Sequence, residues 1–312
     1  MRSHRRLMGI HIQLICLFLL AGMGANAQIA ADGSGAYVFS ENNNHVVALL
    51  KGGGDPSLPG KVKIEFYGHA CFKVTSPKGL TVLVDPWRND PTGAFGTWFS
   101  SPFPEIAVDM VVSSHAHFDH DAIYRPHAAM ALDRMAGILQ ISDLKITGVA
   151  DKHQCMAQGE VKWDQWLKDH FHVTNLCPPD NGASWDNVIY VVETGGVRIG
   201  FWGDNRPEPS AEALQMLKGL DVLVLNIDGS QHILSYAQVG LVLDKLKPRA
   251  VIPAHYLSGS ELPSSSLKTA DEWVGMQKDV RRLNGSGLML GPEVLAGARG
   301  RVLYFGNNVK TD

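Results

Sequence analysis

The sequence predicts a mixed α/β fold of the α+β kind, with two β-sheets enclosed by helices in four αββα layers. Three observations carry this. Strand-like and helix-like segments alternate through most of the chain, with hairpin turns among them. Apolar runs such as Asp109–Ser114 (DMVVSS) and Asp221–Ile227 (DVLVLNI) are too short for helices and suit buried strands. Once an N-terminal leader is set aside, the remaining length suits one α/β domain with a sizeable core.

The leader is residues 1–27. Arg2, Arg5 and Arg6 form a basic start, Ile12–Leu20 an apolar stretch too short to span a bilayer comfortably, and Ala25-Asn26-Ala27 a small-x-small cleavage site. This predicts export to the periplasm or beyond, with Gln28 as the new N-terminus. Residues 28–60 are rich in Gly, Asn and Pro and read as a loosely ordered lead-in, with one short element around Val46–Leu50. The domain is then 61–312. Val62–Thr75 alternates as a strand, and Leu80–Val84 is a second strand after a Ser-Pro-Lys-Gly turn. Residues 88–108 form a long loop, whose Trp98, Phe99 and Phe103 either line a cleft or cover the core. Ala128–Ala136 has helical composition, and Lys145–Ala150 reads as a strand. Glu160–Phe171 is amphipathic at helical spacing, so it is either a lid or a packing helix, with packing preferred. Asn187–Glu193 and Val197–Gly203 make a hairpin about Gly195-Gly196. Ala211–Leu217 is a helix, Asp221–Ile227 a strand, Tyr236–Leu246 a helix stopped before Pro248, and Arg249–Pro253 a strand.

Without the leader the chain has 285 residues, with 25 basic and 31 acidic side chains. That acidic balance argues against a general nucleic-acid binder, whose footprint is basic. Of the cysteines outside the leader, Cys71 sits in a strand-like segment as a small core residue. Cys155 and Cys177 either pair, as an oxidising compartment would allow, or stay as separate buried thiols.

Chemistry concentrates in the run His115-Ala116-His117-Phe118-Asp119-His120, directly after the strand Asp109–Ser114. Imidazoles and a carboxylate packed this densely are costly to hold together without a cation. In an extended stretch, side chains two apart point the same way, so His115 and His117 can grip one ion. Asp119 and His120 follow where the chain begins to turn and project elsewhere, onto a second ion. Zinc accepts such a mixed N/O set.

The chain resembles the metallo-β-lactamase fold superfamily. Within it the likeness is to metal-dependent hydrolases related to L-ascorbate-6-phosphate lactonase and N-acyl phosphatidylethanolamine phospholipase D. The pieces that carry it are Phe66-Tyr67-Gly68-His69-Ala70-Cys71-Phe72, Leu83-Val84-Asp85-Pro86-Trp87, the H-x-H-x-D-H run, Phe201-Trp202-Gly203-Asp204 and Val251-Ile252-Pro253-Ala254-His255-Tyr256, in the family's order over about 62–260. The resemblance implies that Asp204 bridges two ions and that His255 is the last ligand of the second. It implies a third histidine on the first ion, for which His153, His170 and His172 are the candidates. His153 is preferred because it follows a strand as the family ligand does. His69 and Asp85 match positions that support the site from behind. His232 either contacts the substrate or is a loop histidine without a role. Residues 156–182 look like an insertion, and Asn205-Arg206-Pro207-Glu208-Pro209 departs from the family's usual Gly/His-rich continuation.

The expectation is therefore an exported hydrolase that uses a metal-activated water on a small-molecule ester, lactone or phosphodiester. Asp119 would orient the water or shuttle its proton. The cofactor would be two zinc ions per chain, with manganese as the alternative. The competing readings are a phospholipase D-like enzyme, for which membrane lipid is the substrate, a metal-binding member without turnover, and, more remotely, a β-lactam hydrolase.

Overall fold

The computed structural model describes residues 60–177, 179 and 184–312. The predicted leader and nearly all of the lead-in lie outside the described residues. Among the described residues no helix is long and apolar enough to cross a membrane.

The strands in chain order are β1 (Val62–Phe66), β2 (Phe72–Thr75), β3 (Thr81–Val84), β4 (Ala107–Ser113), β5 (His127–Asp133), β6 (Gly137–Ile141), β7 (Leu144–Asp151), β8 (Asn187–Thr194), β9 (Val197–Phe201), β10 (Val222–Asn226), β11 (Ala250–Ala254), β12 (Val280–Arg282), β13 (Gly287–Leu290) and β14 (Arg301–Tyr304). The helices are α1 (Trp163–Phe171), α2 (Ala211–Met216), α3 (Tyr236–Leu246) and α4 (Asp271–Gly275). A six-stranded sheet runs β13-β1-β2-β3-β4-β5, and an eight-stranded sheet runs β12-β14-β11-β10-β9-β8-β7-β6. Both are mixed: β13-β1-β2-β3 and β6-β7-β8-β9 pair antiparallel, and β3-β4-β5 and β9-β10-β11 pair in parallel.

The strands form where apolar residues alternate or run on. β10 and β11 are buried at every position, as strands covered on both faces must be. The sheets meet through rings: Phe66 and Phe72 of the first sheet lie 5.8 Å from Tyr256 and 6.3 Å from Phe201 of the second side, with Phe305 between at 5.3 and 6.0 Å. This is the αββα sandwich the sequence predicts. Helix α3 starts at a capping box, in which Ser235 and Gln238 satisfy each other's backbone amides. It stops at Lys247 in a left-handed turn before Pro248.

Two expected elements differ. Residues 128–136 are not helical: they lie mainly in β5, whose side chains alternate in exposure and which pairs in parallel with β4 from Ala107↔His127 to Ser113↔Asp133. Ala, Met and Leu favour helix intrinsically, but the open edge of β4 overrides a propensity worth tenths of a kcal/mol. Val62–Thr75 is not one strand but two, reversed at 67–71, where Gly68 has φ +90° and a Cβ would come within 2.0 Å of Ser260 Oγ. Cys71 lies in that turn and is a buried free thiol, while Cys155 and Cys177 form a disulfide.

Candidate metal centre

Each predicted site residue follows the end of a strand, and the strand ends share one rim of the sandwich. His69 is in the β1–β2 turn, Asp85 follows β3, the run His115–His120 follows β4, His153 follows β7, Asp204 follows β9 and His255 follows β11. A rigid scaffold thus delivers side chains from distant stretches to one cavity. His69, Asp85 and His255 hold φ of 57°, 52° and 57°. Such left-handed conformations cost about 1–3 kcal/mol each in non-glycine residues and persist where the surroundings over-determine them.

The residues gather into two groups whose ligand atoms lie within 4.8 Å of one another: His115, His117, His153 and Asp204, and His69, Asp119, His120 and His255. Asp204 touches both. Its Oδ2 is 3.8 Å from His115 Nε2, 3.5 Å from His153 Nε2 and 3.4 Å from His255 Nε2, while Oδ1 is 3.3 Å from His120 Nε2. Asn226 Nδ2 donates to Oδ1 at 2.6 Å and fixes the carboxylate's rotation. Of the alternatives for the third histidine, His153 stands with its ring 4.8 Å from His115 and 4.6 Å from His117. His172 instead caps the C-terminus of α1 and is exposed, and His170 packs on Trp166 on the same helix.

The loop after Asp204, which departs from the family's usual sequence, is a clamp. Gln154 N–H donates to the Asp204 carbonyl at 2.8 Å, Arg206 N–H to that of Lys152 at 2.9 Å, and His153 bridges Asn205. The two strand ends that carry His153 and Asp204 are zipped together there.

The imidazoles are oriented from behind. His120 Nδ1 lies 3.0 Å from Asp85 Oδ2, His115 Nδ1 3.0 Å from Ser114 Oγ, and His153 Nδ1 meets the Gln154 carbonyl. Asp85 also accepts from Ser114 N–H at 2.6 Å and Ser114 O–H at 2.7 Å. Meanwhile Nε2 of His115, His120, His153 and His255 is buried and has no hydrogen-bond partner. Buried polar atoms are normally satisfied, and a convergent set of orphaned imidazole nitrogens against carboxylates fits a cation.

The electrostatics say the same. Burial holds the His115 imidazole well below its ordinary range, and His120, His117 and His153 add to this. Burial would raise Asp119 and Asp204, but the histidines around them, His120 and His255 foremost, outweigh it and hold both carboxyls well below the usual range. His120 is raised in turn against its own burial, by Asp204 and Asp119. His255 reaches about 10, where burial is outweighed by Asp204 and by Asp119. Without a cation, protons on His120 and His255 balance the two carboxylates, so metal would displace protons here.

Sequence reasoning missed two partners. His69 Nε2 lies 3.0 Å from Asp119 Oδ2, and behind it Glu261 Oε1 is 3.4 Å from His69 Nδ1. The Glu261 side chain is fully buried and takes Ser258 N–H and O–H at 2.6 and 2.7 Å. Asn226 is the other. Both follow only from the fold, since neither lies in a motif. His232 is at the cavity wall, its N–H held by Asp228 at 2.8 Å and its Nδ1 without a partner. Burial, with His255 nearby, lowers it to about 4, so the ring is neutral at pH 7.

A family profile described as Beta-lactamase superfamily domain matches residues 63–255. A UPF0173 metal-dependent hydrolase of Thermococcus onnurineus is 28% identical over 209 residues, covering 62% of this chain and 84% of its own. One from Anaeromyxobacter sp. is 24% identical over 234 residues, covering 63% and 75%. Among solved structures, a protein of Thermotoga maritima assigned as a Zn-dependent hydrolase of the metallo-β-lactamase superfamily superposes with a TM-score of 0.52 at 20% identity, over 78% of this chain and 97% of that one. The chain belongs to the β-lactamase superfamily and is a metal-dependent hydrolase of the metallo-β-lactamase fold.

Proposed function

We propose that the protein is an exported hydrolase that holds two zinc ions and cleaves an ester, lactone or phosphodiester of a small molecule with water. The observation that carries this is the set of buried, unpartnered Nε2 atoms of His115, His120, His153 and His255 facing Asp204. His115, His117 and His153 would hold one ion, Asp119, His120 and His255 the other, and the two oxygens of Asp204 would serve both. Nitrogen-rich ligation favours zinc over manganese. Export is supported by the leader-like N-terminus and by the Cys155–Cys177 disulfide, which suits an oxidising compartment.

When bound, such cations supply a nucleophile at neutral pH by lowering the pKa of water to about 7, and they polarise the bond under attack. The remaining work belongs to the chain. Asp119 accepts and passes on the proton of the attacking water, and His69, hydrogen-bonded to it at 3.0 Å, fixes its orientation. Glu261 holds the His69 ring from behind. His232, neutral and aimed into the cavity, offers an N–H to an oxygen of the substrate.

Elemental analysis of the purified protein, joined to a panel of carboxylic ester, lactone, phosphodiester and lipid substrates, tests the reading. Two equivalents of zinc and turnover of one class are expected. Retention of no metal after purification and reconstitution refutes it.

A further inference from the structure

We propose that the substrate carries a bulky, uncharged, ring-bearing group, and that this group seats between the loop Asp90–Trp98 and helix α1. The proposal rests on the hydrolase reading for the place of the reacting bond, and it adds the chemistry of the group carried beyond that bond.

The cavity beside the centre has a volume of about 690 Å³, within the range of sites that bury a small organic ligand. One end holds His117, Asp119, His153, Asp204 and His232. The other is walled by Phe95, Trp98, Phe118, Trp163, Trp166 and Leu167. Trp98 and Trp163 both stand against His232, with ring centroids 5.9 and 6.2 Å away, so the aromatic wall reaches the reacting end. Phe95 carries the wall across the mouth, 5.6 Å from Phe118 on one side and 5.1 Å from Trp166 on α1.

Trp98 belongs to the core beneath, but the rings that face it across the cavity do not. Trp87 and Phe99 nearby are stacked at 4.2 Å and buried. Phe95, by contrast, is 37% exposed, and Trp163 and Trp166 are half-buried. Large aromatics left part-open around a cavity mark a binding surface, and their faces favour a flat partner.

The charges on the walls argue against an anionic group at the aromatic end. Arg88 forks onto Asp121 through Nε at 2.9 Å and Nη2 at 3.3 Å. Lys162 donates to the Gly159 carbonyl at 2.8 Å. Asp90 accepts from the amides of its own loop, at Thr92 and Phe95. Arg88 is thus committed to a carboxylate, and the rings of the far wall offer a charged tail no guanidinium free to fork onto it.

Binding separates this proposal from the chemistry. N-phenyl-1-naphthylamine, an uncharged ring probe, is titrated onto the full-length protein before and after chelation. The same titration is run on Trp163→Ala and on Phe95→Ala, the latter a partly exposed site whose truncation leaves the fold intact. The proposal expects saturable fluorescence that survives chelation, weakens roughly tenfold in either variant, and is displaced by a neutral aryl ester but not by a sugar phosphate. Undiminished binding in both variants, or displacement by the sugar phosphate alone, overturns it. If the probe behaves as expected but no substrate is turned over, the hydrolase reading falls and the pocket stands. If aryl and phosphorylated substrates are cleaved with equal kcat/KM and Trp163→Ala changes neither, the pocket falls and the hydrolase stands.

Discussion

Replacing Asp85 by Asn isolates the support behind one candidate ligand. Asp85 accepts from Ser114 N–H at 2.6 Å, Ser114 O–H at 2.7 Å and His120 Nδ1 at 3.0 Å. A carboxylate can do this because it only accepts. An amide cannot, since one of its ends must donate. If the oxygen of the new amide keeps Ser114 N–H, its NH₂ faces His120 Nδ1 and forces the proton onto Nε2, where no lone pair is left for a cation. If the amide turns round, its NH₂ opposes Ser114 N–H instead. Either way one buried donor goes unpaired, at a cost of about 1–3 kcal/mol. That corresponds to the 10–100-fold loss of metal affinity, about 1.4–2.8 kcal/mol, typical for outer-shell partners of a ligand. The assay is a zinc titration in competition with a chromophoric chelator, with thermal denaturation as the check on folding. A folded Asp85→Asn protein that binds zinc within twofold of wild type refutes the tautomer argument.

Other expectations follow from the same geometry. His117→Ala or Asp119→Asn lowers hydrolysis by a factor on the order of 10³ or more, about 4 kcal/mol of barrier, with the thermal transition retained; full activity in either purified variant contradicts the ligand assignment. The Cys155–Cys177 bridge spans a separation of 22 residues. Closing a loop of that size contributes about 3 kcal/mol by restricting the unfolded chain. The double Cys→Ser variant is thus expected to lose about 6–12 °C in Tm by calorimetry, and an unchanged Tm counts against it. Glu65 is held below its ordinary 4.5, where burial is outweighed by Lys63 and Lys73. A depressed carboxyl stabilises above its unfolded pKa and loses that contribution as pH falls through the folded one. Urea denaturation should therefore show Glu65→Gln less stable than wild type at pH 6, with the gap closing as pH falls below 4.5 through the lowered folded value; a gap that widens on acidification reverses the sign and rejects the pair.

The site was legible where its parts are local or follow strands. His115, His117, Asp119 and His120 stand in one run, and His153, Asp204 and His255 follow apolar segments that could only be strands. Glu261 and Asn226 were not legible, because a buried partner of His69 or Asp204 is defined by packing between distant segments, not by any spacing along the chain. The helix expected at 128–136 failed for a related reason. Local propensity cannot register that β4 offers an unpaired edge there. The strands after residue 280 carry weak patterns of their own and are specified by the sheet edges they complete, β13 on β1 and β14 on β11.

The disulfide has a consequence beyond its own strength. Cys155 and Cys177 have Cα atoms 5.2 Å apart, so the segment that bears α1 leaves and re-enters the sandwich at a single covalent gate. Whatever sequence lies inside that gate can be exchanged without disturbing strand order. Of the rings beside the candidate centre, Trp163 and Trp166 thus lie inside the gate and Phe95, Trp98 and Phe118 outside it, so exchanging the gated segment would alter one half of the wall and leave the other standing.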